Sequence, residues 1–184
     1  MDCTDAAAAS RKHRHHSASM RYPTVLAAAQ RIRDSIVRTP LLSSEHVDSV
    51  AGVRCLFKAE HLQRTGSFKM RGAANAVNSL SDEQAALGVV AHSAGNHGAA
   101  LAAAAQGRGV PCTIVVPSDT PTAKVRNIER YGATVVLCEP TQRARSETAE
   151  AEAAKLGGAT IVHPYDDAAV IAGQGTIAKA AWSK

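Results

Sequence analysis

Residues 88–107, GVVAHSAGNHGAALAAAAQG, decide the fold class of this 184-residue chain. The apolar run 88–92 has the length of a buried strand, and the alanine-rich run 96–106 has the length and composition of a helix closed by Gly107. The segment SAGNHG, residues 93–98, joins the two. A strand that passes through a short turn into a helix is the repeating unit of parallel α/β sheets.

The same alternation extends in both directions from this unit. Further strands are predicted over 53–60, 112–116, 133–137 and 159–162. Further helices are predicted from Pro23 to the Thr39-Pro40 stop and over 66–80 and 142–156. Two more are predicted, one after the Ser81–Gln84 capping box and one between a Thr120 cap and Gly132. The expected fold is therefore α/β, with a parallel sheet and flanking helices.

Charge and composition narrow the classes of function. Apolar residues make up 45% of the chain and charged residues 20%, which is ordinary usage for a globular protein. The net charge of +5 lies mostly in residues 1–38, where seven Lys and Arg face three acidic residues, whereas residues 39–184 carry fourteen against thirteen. No basic stripe marks the predicted folded part, so nucleic acid is not an expected partner. No apolar run approaches the roughly 18 residues of a membrane span, so a membrane is not expected either.

Residues 1–20 are a low-complexity run of Ala, Ser, His and Arg without the apolar core of a secretory signal. We expect a disordered basic leader and a cytoplasmic location, with an organelle transit peptide as the alternative. The four cysteines are isolated from one another, and no spacing typical of a zinc site occurs. No metal site is predicted.

The segment SAGNHG is a candidate binding loop. Ligands of open parallel sheets bind beyond the carboxyl ends of the strands, and small residues at a helix start let backbone N–H groups approach an anion. An ordinary connecting turn with Asn96 as the helix cap explains the same residues. Lys69, near the start of the helix predicted over 66–80, is by spacing alone explained equally well as a surface lysine. The pattern leaves both alternatives open.

Three stretches resemble a known enzyme family. GSFKMRGA, residues 66–73, resembles the cofactor-lysine segment of fold-type II pyridoxal-phosphate enzymes of the serine racemase and serine/threonine dehydratase family. SAGNHG resembles the asparagine loop of these enzymes. YDD at 165–167 and IAGQGT at 171–176 match a third family stretch, and all three occur in the family's order. The resemblance runs from about Val25 to Ala178 and implies pyridoxal 5'-phosphate as the cofactor.

The resemblance implies a role for each matching residue. Lys69 would hold the cofactor covalently and act as the base at the substrate Cα. Phe68 would pack beside the cofactor ring, and Asn96 would hydrogen-bond its phenolic oxygen. The substrate carboxylate would be held by the loop residues Ser93, Ala94, Asn96 and His97.

The residue after Ser93 indicates the reaction. Racemases of the family carry a second serine there, which returns a proton from the face opposite the lysine, whereas the dehydratases typically read SAGNH. Ala94 cannot exchange a proton, so the resemblance favours dehydration of L-serine or L-threonine to a 2-oxo acid and ammonia. Cys138-Glu139-Pro140 and Arg145 resemble the racemase branch, where the arginine helps to bind a carboxylate. Serine racemase therefore stays an alternative, as does a solvated helix arginine for Arg145.

The family's chains are nearly twice as long as these 184 residues. We expect residues 21–87 to begin the large cofactor domain, 88–165 to form a small α/β domain, and 166–184 to begin the truncated remainder of the large domain. The cradle for the cofactor phosphate, and the acidic ligands of a divalent cation that a complete family member can bind, are expected to be absent. A complete protein is expected to form a homodimer. A non-catalytic fragment, or a regulatory partner of the full-length enzyme, is the alternative of another class.

Overall fold

The computed structural model describes residues 21–182. The predicted leader, residues 1–20, lies outside the described residues. In chain order the elements are α1 (Tyr22–Arg31), β1 (Leu41–Leu42), α2 (Glu45–Ala51), β2 (Phe57–Lys58), α3 (Lys69–Asn78), α4 (Asp82–Leu87), β3 (Val89–His92), α5 (Asn96–Arg108), β4 (Cys112–Pro117), α6 (Thr122–Glu129), β5 (Thr134–Cys138), α7 (Gln142–Lys155), β6 (Thr160–Ile161) and α8 (Ala168–Trp182). A 3₁₀ turn, Glu60–Leu62, follows β2.

Four of these strands form a parallel sheet in the order β5-β4-β3-β6. β3 and β4 lie at its centre and pair from Val89 with Cys112 to His92 with Val115. Side chains on both faces of these strands are buried, which is why the two strands read as continuous apolar runs. Helices α5 and α6 cover one face, and α7 covers the other. The predicted α/β fold with a parallel sheet is confirmed.

Three helices from distant parts of the chain, α1, α3 and α8, pack together beside the sheet. α3 also packs against α5, so Ile32 and Val77 share one hydrophobic core with Leu101. The expected boundary between residues 21–87 and 88–165 therefore crosses a continuous core. The division into these domains stays a prediction.

Two predicted elements in the N-terminal third are shorter than expected. The helix at Pro23 ends at Arg31 and not near the Thr39-Pro40 stop, because the chain turns over 32–35. The strand predicted over 53–60 is limited to β2, which pairs antiparallel with β1 and not with the main sheet. Because β1 offers a partner of only two residues, the pairing extends no further along the segment.

Two predicted helix boundaries are wrong. α5 continues through Gly107 and ends at Gly109, whose φ of 71° is the left-handed conformation that closes a helix. Thr120 does not cap α6, because the helix begins after Pro121, whose backbone is extended, and no side chain caps it. The Thr120 N–H instead donates to the carbonyl of Pro117 in a turn. The capping box of α4, Ser81 with Gln84, is confirmed.

Candidate active site

Three segments converge at the carboxyl edge of the parallel sheet. The loop Ser93–Gly95 follows β3, and the segment Val162–Asp167 follows β6. Lys69, the first residue of α3, reaches the second of these segments. Parallel strands end at a common edge, so the loops that follow them emerge together. The loop after β3 and the Lys69 side chain therefore lie at the edge where open α/β sheets bind ligands.

Lys69 is held at this edge through its side-chain amine. A turn with Gly66 at φ 75° precedes the helix. Lys69 Nζ donates a hydrogen bond of 2.7 Å to the carbonyl oxygen of Pro164. The same amine lies 5.3 Å from the centroid of the Phe68 ring, and Phe68 is 40% exposed. The amine thus lies between an uncovered aromatic ring and the loop after β6.

The loop after β3 is fixed by its own backbone. The N–H of Ser93 donates to the carbonyl of Val115 in β4 (3.0 Å), and the Ser93 hydroxyl accepts from the N–H of Gly95 (3.3 Å). A Cβ at Gly98 would lie 2.3 Å from the Ser93 carbonyl oxygen, so only glycine permits this tight entry into α5. Gly95 is the N-cap and supplies no side chain, and Asn96 is the first helical residue, exposed to solvent. The N-terminal amides of α5 are therefore open to a ligand.

His97 is a buried neutral imidazole beneath this loop. It is 3% exposed, and its Nε2 lies 3.0 Å from the carbonyl oxygen of Val162. Because a carbonyl can only accept, Nε2 carries the proton and Nδ1 bears a lone pair without a hydrogen-bond partner. Burial is the main cause that lowers the His97 pKa to about 4; the hydrogen bond to Val162 opposes this shift, and the positive charge of Lys69 contributes to it. His97 thus links the start of α5 to the residue that follows β6. It also lies close enough to Lys69 for the charge of the lysine to affect its pKa.

Arg145 projects from α7 toward the carboxyl ends of β3 and β5. Burial and the charge of His163 lower the pKa of His92, and the charge of Arg145 adds a smaller lowering effect. Burial raises the pKa of Cys138, and the charge of Arg145 opposes this rise. Arg145 is half-buried, and its Nε is enclosed without a hydrogen-bond partner. The enclosed Nε distinguishes Arg145 from a fully solvated helix arginine, and its role in binding stays a prediction. A buried guanidinium N–H without an acceptor is suited to an anionic ligand.

The structure adds residues that the sequence did not single out. Val162 and Pro164 provide the carbonyl partners of His97 and Lys69. The His163 ring lies edge-to-face against Tyr165, with centroids 4.5 Å apart, and 6.0 Å from the His92 ring. The available signal was position, because Val162 ends the last predicted strand and His163 and Pro164 directly follow it. The contacts of Val162 and Pro164 are made by backbone carbonyls, which leave no motif, whereas Tyr165 lies in the YDD stretch already noted.

Other features of the described residues lie away from this edge. A cavity of about 340 Å³ between α1, α3 and α8 is lined by the cationic residues Arg33, Arg38, Lys58, Arg71 and Lys179 and contains none of the predicted site residues. Within residues 21–182, no three His, Cys, Asp or Glu side chains are grouped as metal ligands. Along the same part of the chain, no helix combines the length and apolar character needed to cross a bilayer.

Known proteins resemble this chain in sequence and in fold. A β-hydroxyaspartate dehydratase of Paracoccus denitrificans (strain Pd 1222) is 48% identical over 158 residues, which are 86% of this chain and 50% of the relative. A serine racemase of Arabidopsis thaliana is 50% identical over 151 residues, 82% of this chain and 45% of that protein. The solved serine racemase of Dictyostelium discoideum superposes with a TM-score of 0.83 at 43% identity, over 86% of this chain and 52% of that one. The chain spans about half the length of the curated relatives it matches.

The family model described as pyridoxal-phosphate dependent enzyme matches residues 32–184. The match includes all three stretches on which the resemblance rests. The similarity to the solved serine racemase confirms the predicted fold-type II architecture. On these grounds the chain belongs to the family of pyridoxal-phosphate-dependent enzymes.

Proposed function

We propose that the protein carrying this chain is a pyridoxal-phosphate-dependent dehydratase, which converts a β-hydroxy amino acid to a 2-oxo acid and ammonia. The observation that carries this proposal is the identity of two residues: a lysine at position 69 and an alanine at position 94. Lys69 supplies a proton-accepting amine at the carboxyl edge of the sheet, and Ala94 occupies the loop position where a second serine would support racemisation.

The residues present fit the ring end of pyridoxal phosphate. Lys69 offers its amine, and the Phe68 ring beside it is uncovered on one side. A Cβ at Gly95 would meet nothing within 4 Å, so space is open above the start of α5. Lys69, Phe68 and Asn96 would hold the cofactor there. When bound, the cofactor withdraws electrons from the substrate Cα and makes its proton acidic.

The chain's own groups bind the substrate and move its proton. The substrate carboxylate is received by the Ser93 hydroxyl and the open amides at the start of α5, where the helix dipole favours an anion. Lys69 Nζ takes the Cα proton on the lone pair of its neutral form, and an N–H of the same amine can donate to the carbonyl oxygen of Pro164. His97 stays neutral beneath the loop and so adds no positive charge that competes for the carboxylate.

Ala94 is the reason why dehydration is favoured over racemisation. Racemisation needs one group to remove the Cα proton and another to return it from the opposite face. A methyl group can do neither, whereas dehydration of the L-substrate needs only the lysine face. Serine racemase remains the alternative within the same family, and D-serine formation from L-serine is the product that would support it.

Arg145 favours a second substrate class, β-hydroxy amino acids that carry a side-chain carboxylate. Its guanidinium has an enclosed N–H without an acceptor at the carboxyl edge of the sheet. A relative that is 48% identical is named as a β-hydroxyaspartate dehydratase. L-Serine and L-threonine offer no second carboxylate, so 3-hydroxyaspartate is the substrate that Arg145 would distinguish from them.

The test measures 2-oxo acid, ammonia and D-enantiomer formed by the cofactor-loaded chain from L-serine, L-threonine and 3-hydroxyaspartate. Arg145→Leu is expected to lower kcat/KM for 3-hydroxyaspartate about tenfold or more, because a charge-assisted hydrogen bond is lost, and to change kcat/KM for L-serine much less. Arg143→Leu is the matched control, since Arg143 lies on the same helix with its side chain 86% exposed. Equal losses on both substrates would rule out a selective role for Arg145.

The alternative of another class is a non-catalytic fragment or a regulatory partner of a full-length enzyme. It predicts no saturable cofactor uptake by the isolated chain. Cofactor bound at one lysine together with 2-oxo acid formation would exclude it.

The proposal extends to the complete protein. We infer a homodimer that acts in the cytoplasm on small amino acids, with a divalent cation as a further ligand. The family resemblance supports these statements. Sedimentation of the complete protein, cell fractionation, and activity before and after chelation test them in turn.

A further inference from the structure

The turn that carries Lys69 has no cap of its own. Phe68 is the N-cap of α3, its backbone is helical, and no side chain there accepts from the first amides. The Ser67 hydroxyl is buried without a hydrogen-bond partner. The local bond from the Met70 N–H to the Ser67 carbonyl is long, at 3.4 Å. The Arg71 N–H also has a local acceptor, the Phe68 carbonyl at 3.0 Å. The first N–H groups of a helix need acceptors, and no side chain of this turn provides one, so a side-chain acceptor must come from elsewhere.

One such acceptor comes from α8, a hundred residues further along the chain. The Gly72 N–H donates to Gln174 Oε1 at 3.1 Å. A Cβ at position 72 would lie 2.4 Å from Gln174 Nε2 and 2.7 Å from its Cδ, so glycine at 72 admits the side chain. Gln174 therefore provides a side-chain acceptor for the fourth amide of the helix, next to the amides that a local Ser, Thr or Asp cap usually accepts from.

The same turn is fixed on its other side by Arg71. This residue is 2% exposed, and its Nε and Nη2 donate to the two carboxylate oxygens of Glu60 at 2.8 and 2.7 Å. Burial opposes ionisation of Glu60, but the hydrogen bonds from Arg71 and Thr39 outweigh it and lower the Glu60 pKa. Arg71 Nη1 also lies 3.3 Å from the Thr176 hydroxyl on α8. The buried ion pair thus ties the turn to α8 as well.

Taken together, segment 164–176 contacts the Lys69 turn at three points. The Pro164 carbonyl accepts from the Lys69 amine, Gln174 caps the Gly72 amide, and Thr176 contacts Arg71. We propose that Gln174 is a positioning residue for Lys69, which supplies the missing helix cap and so fixes where the amine lies. This inference rests on the proposed role of Lys69 as the cofactor lysine.

The test compares Gln174→Met, which removes the acceptor at similar volume, with Gln174→Glu, which keeps it. Gln142→Met, at an exposed position on α7, is the matched control. Two measurements on the free chain are made: hydrogen exchange of amides 69–72, and the acylation rate of Lys69 relative to the exposed Lys124. Neither measurement uses the cofactor, so the effect of Gln174 on the Lys69 turn is measured separately from cofactor uptake, and a failure of the proposed function can be told apart from a failure of this inference.

In Gln174→Met, we expect amides 69–72 to exchange about fivefold faster or more, the factor that corresponds to loss of a typical helix cap. Acylation of Lys69 should rise with it, because the amine is released from the Pro164 carbonyl. Gln174→Glu and Gln142→Met should stay close to the parent chain in both measurements. If the Met variant does not fold, Gln174→Asn, which withdraws the acceptor by one methylene group, replaces it. Unchanged Lys69 acylation, or a Glu variant that behaves like the Met variant, would overturn the inference.

Discussion

At the scale of single residues, His97 determines how the loop after β3 responds to pH. Its ring is 3% exposed and bonded to the Val162 carbonyl, and burial holds its pKa near 4, below the ordinary value of 6.5. The unfolded chain therefore binds more protons than the folded chain between pH 6.5 and pH 4. Stability rises with pH wherever the unfolded state binds more protons. The contribution of His97 is thus fully present above pH 6.5 and is lost as the pH falls toward 4.

We predict that the free energy of unfolding decreases by on the order of 3 kcal/mol from this residue as the pH falls from 6.5 to 4. Replacing His97 with Gln should flatten the curve in this window, measured by urea unfolding at half-unit steps of pH. His92, whose pKa is also lowered by burial, is expected to account for part of the remaining slope. A slope that is unchanged in His97→Gln would show that His97 is not buried in its neutral form.

The motifs that contain the candidate site residues can be recognised in the sequence, but the surroundings of these residues cannot. Lys69, Ser93 and Asn96 were found because they lie in contiguous motifs that resemble a family. The Pro164 and Val162 carbonyls could not be found that way, since a backbone acceptor has no residue type to recognise. Their roles depend on how the loop after β6 meets α3, which is decided by packing.

At the scale of elements, the crossing of α3 and α8 is the contact on which the position of Lys69 depends. The two helices approach so closely that a Cβ at Gly173 would lie 2.5 Å from the Arg71 carbonyl oxygen and 2.6 Å from Gly72 Cα. Both obstacles are backbone atoms, so the helices must separate to admit even a methyl group. The glycine at 173 therefore sets the distance between α8 and the turn that carries Lys69.

We predict that Gly173→Ala destabilises the chain by about 2 kcal/mol or more, as overpacking against backbone typically does. Thermal unfolding should show a drop of several degrees. Gly107→Ala is the matched control, since Gly107 also lies within a helix and its added Cβ would meet only a flexible arginine nitrogen at 3.6 Å. That control should be neutral or slightly stabilising, because alanine is the better helix former. Equal stability of the two variants would contradict the close crossing.

A helix or strand can be predicted from the sequence when residues close together in the chain determine it. β3 and β4 are buried on both faces, so their apolar runs identify them directly. The capping box of α4 was readable because both partners are three residues apart. The end of α5 was misjudged because Gly107 and Gly109 are both available as closing residues, and only the left-handed backbone at Gly109 decides between them.

At the scale of the whole molecule, exposed apolar side chains concentrate in residues 41–62. Val50, Val53 and Leu56 are 77%, 64% and 54% exposed, and several neighbours in this segment are similar. Exposed apolar side chains that are grouped in one segment favour association.

We predict that the isolated chain self-associates through this segment. Replacing Val50, Val53 and Leu56 together with Ser should reduce association in sedimentation velocity without lowering the unfolding temperature, because exposed side chains contribute little to stability. Leu137→Ser, at a position 60% exposed on β5, is the control outside the segment and should leave association unchanged. Association that persists in the triple variant would place the contact elsewhere.

The central claim is that Lys69 is the cofactor lysine, and one measurement tests it most directly. The purified chain is titrated with pyridoxal phosphate, reduced with borohydride, and digested for peptide mapping, with Lys69→Ala as the control. We expect saturable absorbance in the visible range and a single modified lysine at 69, both absent from the variant. Label scattered over many lysines, or uptake that is unchanged in Lys69→Ala, would contradict it.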